Sequence, residues 1–451
     1  MQLEKAQTIF FTGIGGIGMS GLAQLLQADG KTVLGSDLVE SEVTALLQEK
    51  GIAVHTSQDG AGMQDADLLI YSAAVPEDHA ERKKAKELKI PQMSYFEAVG
   101  EYMKEFKTTI AVSGTHGKTT TTAMIANLLV NAGLDPTVLV GSLMKESGSN
   151  AREGAKDFLL VEGCEHNEHM LNLHPNIIVL TNVDADHLDY YRDFDHIISA
   201  FQEYVDQLPE DGLLITNADD DGCAKLSYSG STIRYGLSNE VEVSASNVAT
   251  AGLNQAFIAH NEDYELQLPG EFNVYNALAA IALGRQLEID EEVIKKTLKE
   301  FTGTWRRFEI LGEYKKALVV SDYAHHPVAV AATIRAAKEA YPDKRVVAVF
   351  QPHQRARTKA LFEEFTQAFS EADYLILQEI YDVAGREEAE YADISSKKLV
   401  DALEEQGQYP VYTPDAEATR VVIDDILEKD DLLLIMGAGD IYLLAEELVA
   451  E

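Results

Sequence analysis

Gly114-Thr115-His116-Gly117-Lys118-Thr119-Thr120-Thr121-Thr122 follows an apolar, strand-like stretch at 109–112 and runs into a helical pattern. Strand, glycine turn and helix in that order make a phosphate cradle. Glycine lets the backbone turn its N–H groups toward an anion, and the helix N-terminus adds partial positive charge. Lys118 supplies a full charge for the terminal phosphates of a nucleotide, and the Thr119 hydroxyl is placed to ligate Mg2+. The usual nucleotide-loop spacing asks for glycine at 112, where this chain has Val112, so the loop is a shortened variant. Lys118 is expected to be an exposed loop lysine with no part in packing.

Outward from this loop, short β-branched or apolar runs alternate with amphipathic helical stretches along the whole chain. That alternation predicts an α/β protein with mainly parallel sheets. Strands are expected at 8–12, 31–35, 68–71, 158–161, 177–181, 317–321, 345–350, 374–377 and 432–436, with a β-rich stretch over 231–268 and a helix over 273–287. At 451 residues there is room for about three domains. The segments divide as 1–106, 107–306 and 307–451, the first boundary lying in the polar stretch 101–107.

The first segment carries Gly13-Ile14-Gly15-Gly16-Ile17-Gly18 between a strand and a helix, with Asp37 ending the next strand. This is the pattern by which a backbone approaches a pyrophosphate while an acidic side chain takes ribose hydroxyls. It suits NAD, FAD or a nucleotide sugar such as a UDP derivative. In the second segment Glu162 and His187 both sit at strand ends, where ligands gather in open α/β sheets. A carboxylate at Glu162 and the Thr119 hydroxyl suit a hard Mg2+ ion. His187, among Asp184, Asp186 and Asp189, is either a further ligand or a hydrogen-bond donor to the phosphoryl group. Cys164, His166, His169 and His174 cluster too, but not at structural-zinc spacing. They read as a local loop near the nucleotide.

The third segment opens with Trp305-Arg306-Arg307-Phe308-Glu309, and continues with Asp322-Tyr323-Ala324-His325-His326-Pro327 and Gln351-Pro352-His353-Gln354-Arg355-Ala356-Arg357-Thr358 after two strands. Such clusters clamp a carboxylate or phosphate through charge-assisted hydrogen bonds. They matter more in a chain whose formal net charge is −38, which repels polyanions and argues against nucleic-acid binding. Two cysteines fit a reducing compartment, and neither a spanning apolar run nor a secretory N-terminal pattern is present. A cytoplasmic protein without membrane attachment is expected; no motif fixes its oligomeric state.

These motifs, in this order, resemble the Mur ligases, the ATP-dependent enzymes of peptidoglycan precursor synthesis. The resemblance runs through 13–21 with Met19-Ser20, Gly35-Ser36-Asp37, Tyr71-Ser72-Ala73-Ala74-Val75-Pro76, the nucleotide loop and Gly148-Ser149-Asn150-Ala151-Arg152. It continues through Thr181-Asn182, Asp186-His187-Leu188-Asp189, Asn273 to Asn276, Arg306-Arg307-Phe308, 322–327, 350–353 and 437–440. It implies a Rossmann-like N-terminal domain, a central P-loop ATPase-type domain and a Rossmann-like C-terminal domain.

By the same resemblance, Gly15, Gly16, Gly18, Met19, Ser20, Asp37 and Ser72 would bind the UDP part of the substrate. Gly114, Thr115, His116, Gly117, Lys118, Thr119, Thr120, Asn273, Asn276 and Arg307 would bind ATP. Thr119, Glu162 and His187 would hold Mg2+, and Lys118, Glu162, His187 and Arg307 would carry the chemistry. His325, His326 and Arg357 would face the amino-acid substrate. The implied substrates are UDP-N-acetylmuramate and L-alanine, joined through an acyl phosphate, or alternatively UDP-N-acetylmuramate and a preformed peptide. A nicotinamide-dependent dehydrogenase would leave Lys118, Glu162 and the third segment without a role, and a non-catalytic nucleotide-binding regulator would have no use for the lysine, metal and clamp residues. Two positions depart from the family pattern: Cys164 replaces an aspartate beside the metal site, and His79 replaces an asparagine.

Overall fold

The computed structural model describes residues 2–450 apart from 146–147, 189, 239, 383–390 and 392, so Asp189 lies outside the described residues. Strands β1 (Thr8–Thr12), β2 (Thr32–Ser36), β3 (Ala53–His55), β4 (Leu68–Tyr71) and β5 (Gln92–Ser94) form a parallel sheet in the order β3-β2-β1-β4-β5. Ile9, Phe10 and Phe11 are fully buried, which is why β1 reads as a continuous apolar run and not an alternating one. Strand order reverses beside β1, opening a crevice at the carboxyl ends of β1 and β4.

A second run of strands comprises β6 (Thr108–Ser113), β7 (Thr137–Met144), β8 (Ser149–Arg152), β9 (Phe158–Gly163), β10 (Ile177–Leu180), β11 (Leu213–Asn217) and β12 (Ser231–Gly236). They lie in the order β8-β7-β9-β6-β10-β11-β12, parallel except for β8 against β7. The nucleotide loop therefore leaves a central strand, β6, flanked by the strands that end near Glu162 and Thr181.

The β-rich stretch is an antiparallel meander, β13 (Val243–Ala251), β14 (Asn254–Ala259) and β15 (Glu262–Leu266), with alternating burial along β14 and a Phe257–Tyr264 ring stack at 5.4 Å. The last sheet contains β16 (Glu309–Tyr314), β17 (Ala317–Asp322), β18 (Val346–Phe350), β19 (Tyr374–Gln378), β20 (Val411–Thr413) and β21 (Leu432–Met436). Its order is β16-β17-β21-β18-β19-β20, parallel apart from the β16 edge. Every residue of β18 and β21 is buried.

Two compact units emerge. One contains residues 1–183, 197–235 and 279–293; the other contains 184–196, 236–278 and 294–451. Within the first unit the helix Ile17–Ala28 packs on β7 and β8. Asn150, only 2% exposed, donates to Ile17 O and, at 3.0 Å, to Ser20 Oγ, while Gln24 bonds both Asn150 and Ser149. Lys156 Nζ adds contacts to Asp29 and Tyr102 Oη and lies over the Tyr102 and Phe106 rings. The polar stretch expected over 101–107 thus starts inside a helix, Tyr95–Met103, and buries Tyr102, Met103 and Phe106. Among the described residues no helix is long and apolar enough to cross a membrane.

Candidate nucleotide and substrate site

After β6 the chain turns at Gly114, whose φ of +135° and close approach to Thr181 exclude a side chain. Asn182 clasps the loop: its carbonyl accepts from Thr115 N at 3.0 Å, its Oδ1 accepts from His116 N at 2.8 Å, and its Nδ2 donates to His116 O at 2.9 Å. Gly117, at φ +80°, opens the helix Lys118–Asn131, and Thr119 and Thr120 in the first turn are buried. The sequence flags Thr181-Asn182 only as a motif; the clasp is a tertiary fact.

Lys118 departs from the exposed lysine expected. Its side chain is 13% exposed and Nζ bonds Glu165 Oε2 at 2.8 Å, Thr115 O at 2.9 Å and Gly114 O. Burial alone would pull the ammonium pKa down, but the nearby charges, Glu165 foremost, hold it above its ordinary value. Beside it Thr119 Oγ1 donates to Glu162 Oε1 at 3.0 Å, and Gly141 N donates to Glu162 Oε2 at 2.9 Å. A hydroxyl and a carboxylate oxygen in contact at the end of a phosphate loop are a hard-oxygen donor set that fits Mg2+. Cys164, next in the turn, has its thiol pushed up to about 12, by burial and then by Glu165. Cys164, His166, His169 and His174 do not gather as a metal-binding group among the described residues. His169 instead stacks on Phe96 at 4.4 Å.

The first glycine turn is held from below. Gly13 N and Ile14 N donate to Ser36 O, and Gly15 N donates to Asp37 Oδ2 at 2.8 Å. Asp37 Oδ1 accepts from Val39 N, so this acidic residue orders the turn with both oxygens. Ser72 lies against Gly13, and Gly16 caps the helix that follows. Gly18 faces the Tyr95 ring. Met19 and Ser20 are buried, and Ser20 is committed to Ile17 O and Asn150. The structure therefore gathers Gly15, Gly16, Gly18, Asp37 and Ser72 at one edge, while Met19 and Ser20 are buried.

Sequence reasoning missed Glu81, which reads as part of a charged helix face. Its side chain is fully buried beneath the turn and accepts from Thr12 Oγ1 and Ser36 Oγ at 2.7 Å each and from Gly60 N at 3.3 Å. Glu81→Leu leaves both hydroxyls and an amide without their acceptor, at about 1–3 kcal/mol for each buried group so stranded. Urea unfolding should report a loss of a few kcal/mol; an unchanged midpoint would refute this role.

In the second unit, Asn273 donates to Pro269 O at 2.7 Å and Asn276 donates to Asn273 Oδ1 at 3.0 Å, both side chains buried. Arg307 lies 4.4 Å from the Tyr323 ring centroid. Its neighbour Arg306, which the sequence does not separate from it, is 5% exposed, lies near the Trp305, Tyr323 and Tyr442 rings, and donates to Gly437 O and Gly439 O. Arg357 pairs with Asp186 at 3.3 Å and reaches His353 Nδ1 at 3.5 Å, and His326 Nε2 lies 3.3 Å from Ala185 O. Burial opposes ionisation of Asp186, yet Arg357 and then His187, His325 and His326 hold its carboxyl well below the usual range. His325 is held well below the ordinary imidazole value by burial and by Arg357. His187, at φ +53°, lies 3.9 Å from Asp186. So His325, His326, Arg357 and His187 do converge, around an aspartate that resemblance gave no role.

Comparison with known proteins adds the family. The models described as Mur ligase family, catalytic domain, Mur ligase middle domain, and Mur ligase, glutamate ligase domain match residues 8–107, 112–284 and 306–439 respectively. A UDP-N-acetylmuramate–L-alanine ligase of Caldanaerobacter subterraneus subsp. tengcongensis is 39% identical over 462 residues, covering 100% of this chain and 99% of that protein. One of Clostridium kluyveri is 41% identical over 451 residues, covering 98% of each. The crystal structure of UDP-N-acetylmuramate-alanine ligase MurC from Thermotoga maritima superimposes with a TM-score of 0.83 at 29% identity over 98% of both chains. With family models matching all three segments and relatives 39% and 41% identical over almost the whole of both chains, this chain belongs to the Mur ligase family.

Proposed function

We propose that this protein is an ATP-dependent ligase that joins L-alanine to the carboxylate of UDP-N-acetylmuramate in the cytoplasm, as the first amino-acid addition in peptidoglycan precursor synthesis. The observation that carries the reading is the nucleotide loop with Lys118 and the Thr119–Glu162 pair at one strand edge, in a chain similar end to end to L-alanine ligases. Phosphoryl transfer needs positioning and charge neutralisation more than a protein nucleophile. The muramate carboxylate attacks the γ-phosphorus, ADP leaves, and the alanine amine displaces phosphate from the acyl phosphate to give the amide.

Lys118 exchanges Glu165 for the phosphates, while the helix N-terminus at Gly117 and the loop amides hold them in line. Thr119 and Glu162, with His187 as a further ligand, would hold Mg2+, which supplies neutralisation of phosphate charge when bound. Asn273, Asn276 and Arg307 serve the nucleotide. His325, kept neutral, and Arg357 serve the amino-acid side.

Purified protein with ATP, magnesium chloride, UDP-N-acetylmuramate and one amino component at a time tests the proposal. Phosphate release is expected with L-alanine and to vanish when either ATP or the sugar nucleotide is withheld. Turnover with a preformed peptide and none with alanine would overturn it.

A further inference from the structure

The helix Tyr95–Met103 begins directly after β5, and its start is fixed by a capping box: Ser94 Oγ accepts from Glu97 N and Glu97 Oε2 accepts from Ser94 N. Phe96 is anchored by its stack on His169. Further along, Gly100 lets the helix approach Asn172 so closely that any side chain there would collide. The first helical residue, Tyr95, is thereby aimed at the first glycine turn. A Cβ built on Gly18 would lie 2.7 Å from Tyr95 Cζ and 2.8 Å from its Oη, so the phenol rests on the backbone of the turn. Burial foremost, and then the charges of Glu162 and Cys164, push the phenol pKa up. Tyr95 is half-buried, and among the described residues its Oη has no hydrogen-bond partner.

A phenol whose hydroxyl lies against a diphosphate-binding turn, in the same compact unit as the nucleotide loop and Glu162, has one evident use. The substrate must span the interval from turn to loop, its diphosphate at the turn and its carboxylate at the phosphoryl donor. We propose that Tyr95 Oη donates a hydrogen bond to the muramoyl end of the sugar nucleotide, holding its carboxylate toward the nucleotide loop. The inference rests on the function proposed above. A neutral donor is well suited here, because it orients a carboxylate nucleophile without drawing off its charge as a guanidinium would.

Tyr95→Phe removes the hydroxyl and keeps the ring against Gly18. Calorimetric titration should show UDP-N-acetylmuramate binding weakened about ten-fold or more, the worth of a hydrogen bond to a charged group. Binding of UDP alone should stay within two-fold, as should the KM for ATP. Tyr95→Met, apolar and of comparable length, should behave the same. Equal weakening of UDP and the sugar nucleotide, or no weakening of either, overturns the proposal. The wild-type protein in the phosphate-release assay separates the two readings: wild-type binding without turnover removes the ligase function and leaves the titration to decide the role of Tyr95. Wild-type protein that fails to bind the sugar nucleotide overturns both.

Discussion

Lys118→Ala is expected to slow acyl-phosphate formation by about 100-fold or more, the usual consequence of deleting a charge preorganised for the transition state. The structure adds a second effect. Removing the ammonium takes the Lys118 cation away from Glu165, whose side chain is 5% exposed. Breaking such a pair from one side costs on the order of 3 kcal/mol, less whatever is recovered when the carboxyl takes up a proton. The variant should therefore lose both turnover and urea resistance. Adding Glu165→Gln should restore much of the unfolding midpoint and none of the rate. Turnover in Lys118→Ala within ten-fold of wild type would move the phosphate site elsewhere, and an unchanged midpoint would mean that the Lys118–Glu165 pair contributes nothing to the fold.

The other large effect belongs to Arg357. It pairs with Asp186 where both side chains are below 10% exposed, 8% and 7%. Arg357→Ala leaves Asp186 buried and charged, which costs about 3–5 kcal/mol at neutral pH. The pH dependence has a definite sign. Because the folded Asp186 pKa is depressed well below its ordinary 3.8, its contribution is complete above that value and is lost as pH falls through the folded pKa. The gap between wild-type and variant midpoints should be widest near about pH 8 and narrow as pH falls, first as His325, released from Arg357, takes up a proton beside Asp186 and then, in stronger acid, as Asp186 itself does. A gap that widened on acidification would contradict the assignment. Arg357→Lys should recover only part of the loss, because an ammonium lacks the forked geometry of guanidinium.

The elements that the sequence makes legible are those buried on both faces. The strands at 8–12, 68–71 and 432–436 are legible to the residue, since Ile9-Phe10-Phe11 and Leu432 to Met436 are uninterrupted apolar runs. What escapes is decided by partners distant in the chain. Ser149–Arg152 is polar and looks like a loop, yet it is a buried strand because Gln24, Ser20 and Ile17 satisfy its side chains. Glu81 sits in Ala-Glu-Arg-Lys-Lys and reads as a solvated face until Thr12, Ser36 and Gly60 close over it. At the site, the position of Lys118 is legible from its loop, whereas its burial is not, because Glu165 is brought to it only by the pairing of β9 with β6. Arg306 and Arg307 are neighbours of one chemical type, and nothing local says which is enclosed by aromatic rings.

The bonds from Asn150 and Gln24 to the helix behind the first glycine turn bear on reaction entropy. They tie that turn to the sheet bearing the nucleotide loop, within one compact unit. Two ligands seated on a common frame meet at a separation fixed when the chain folds, so the loss of translational freedom that a bimolecular encounter demands is met before either arrives. Well-oriented partners of this kind react as though present at effective concentrations on the order of 10⁵ M or more. On the function proposed above, polar side chains behind the first glycine turn thus help set how often carboxylate and phosphate find one another.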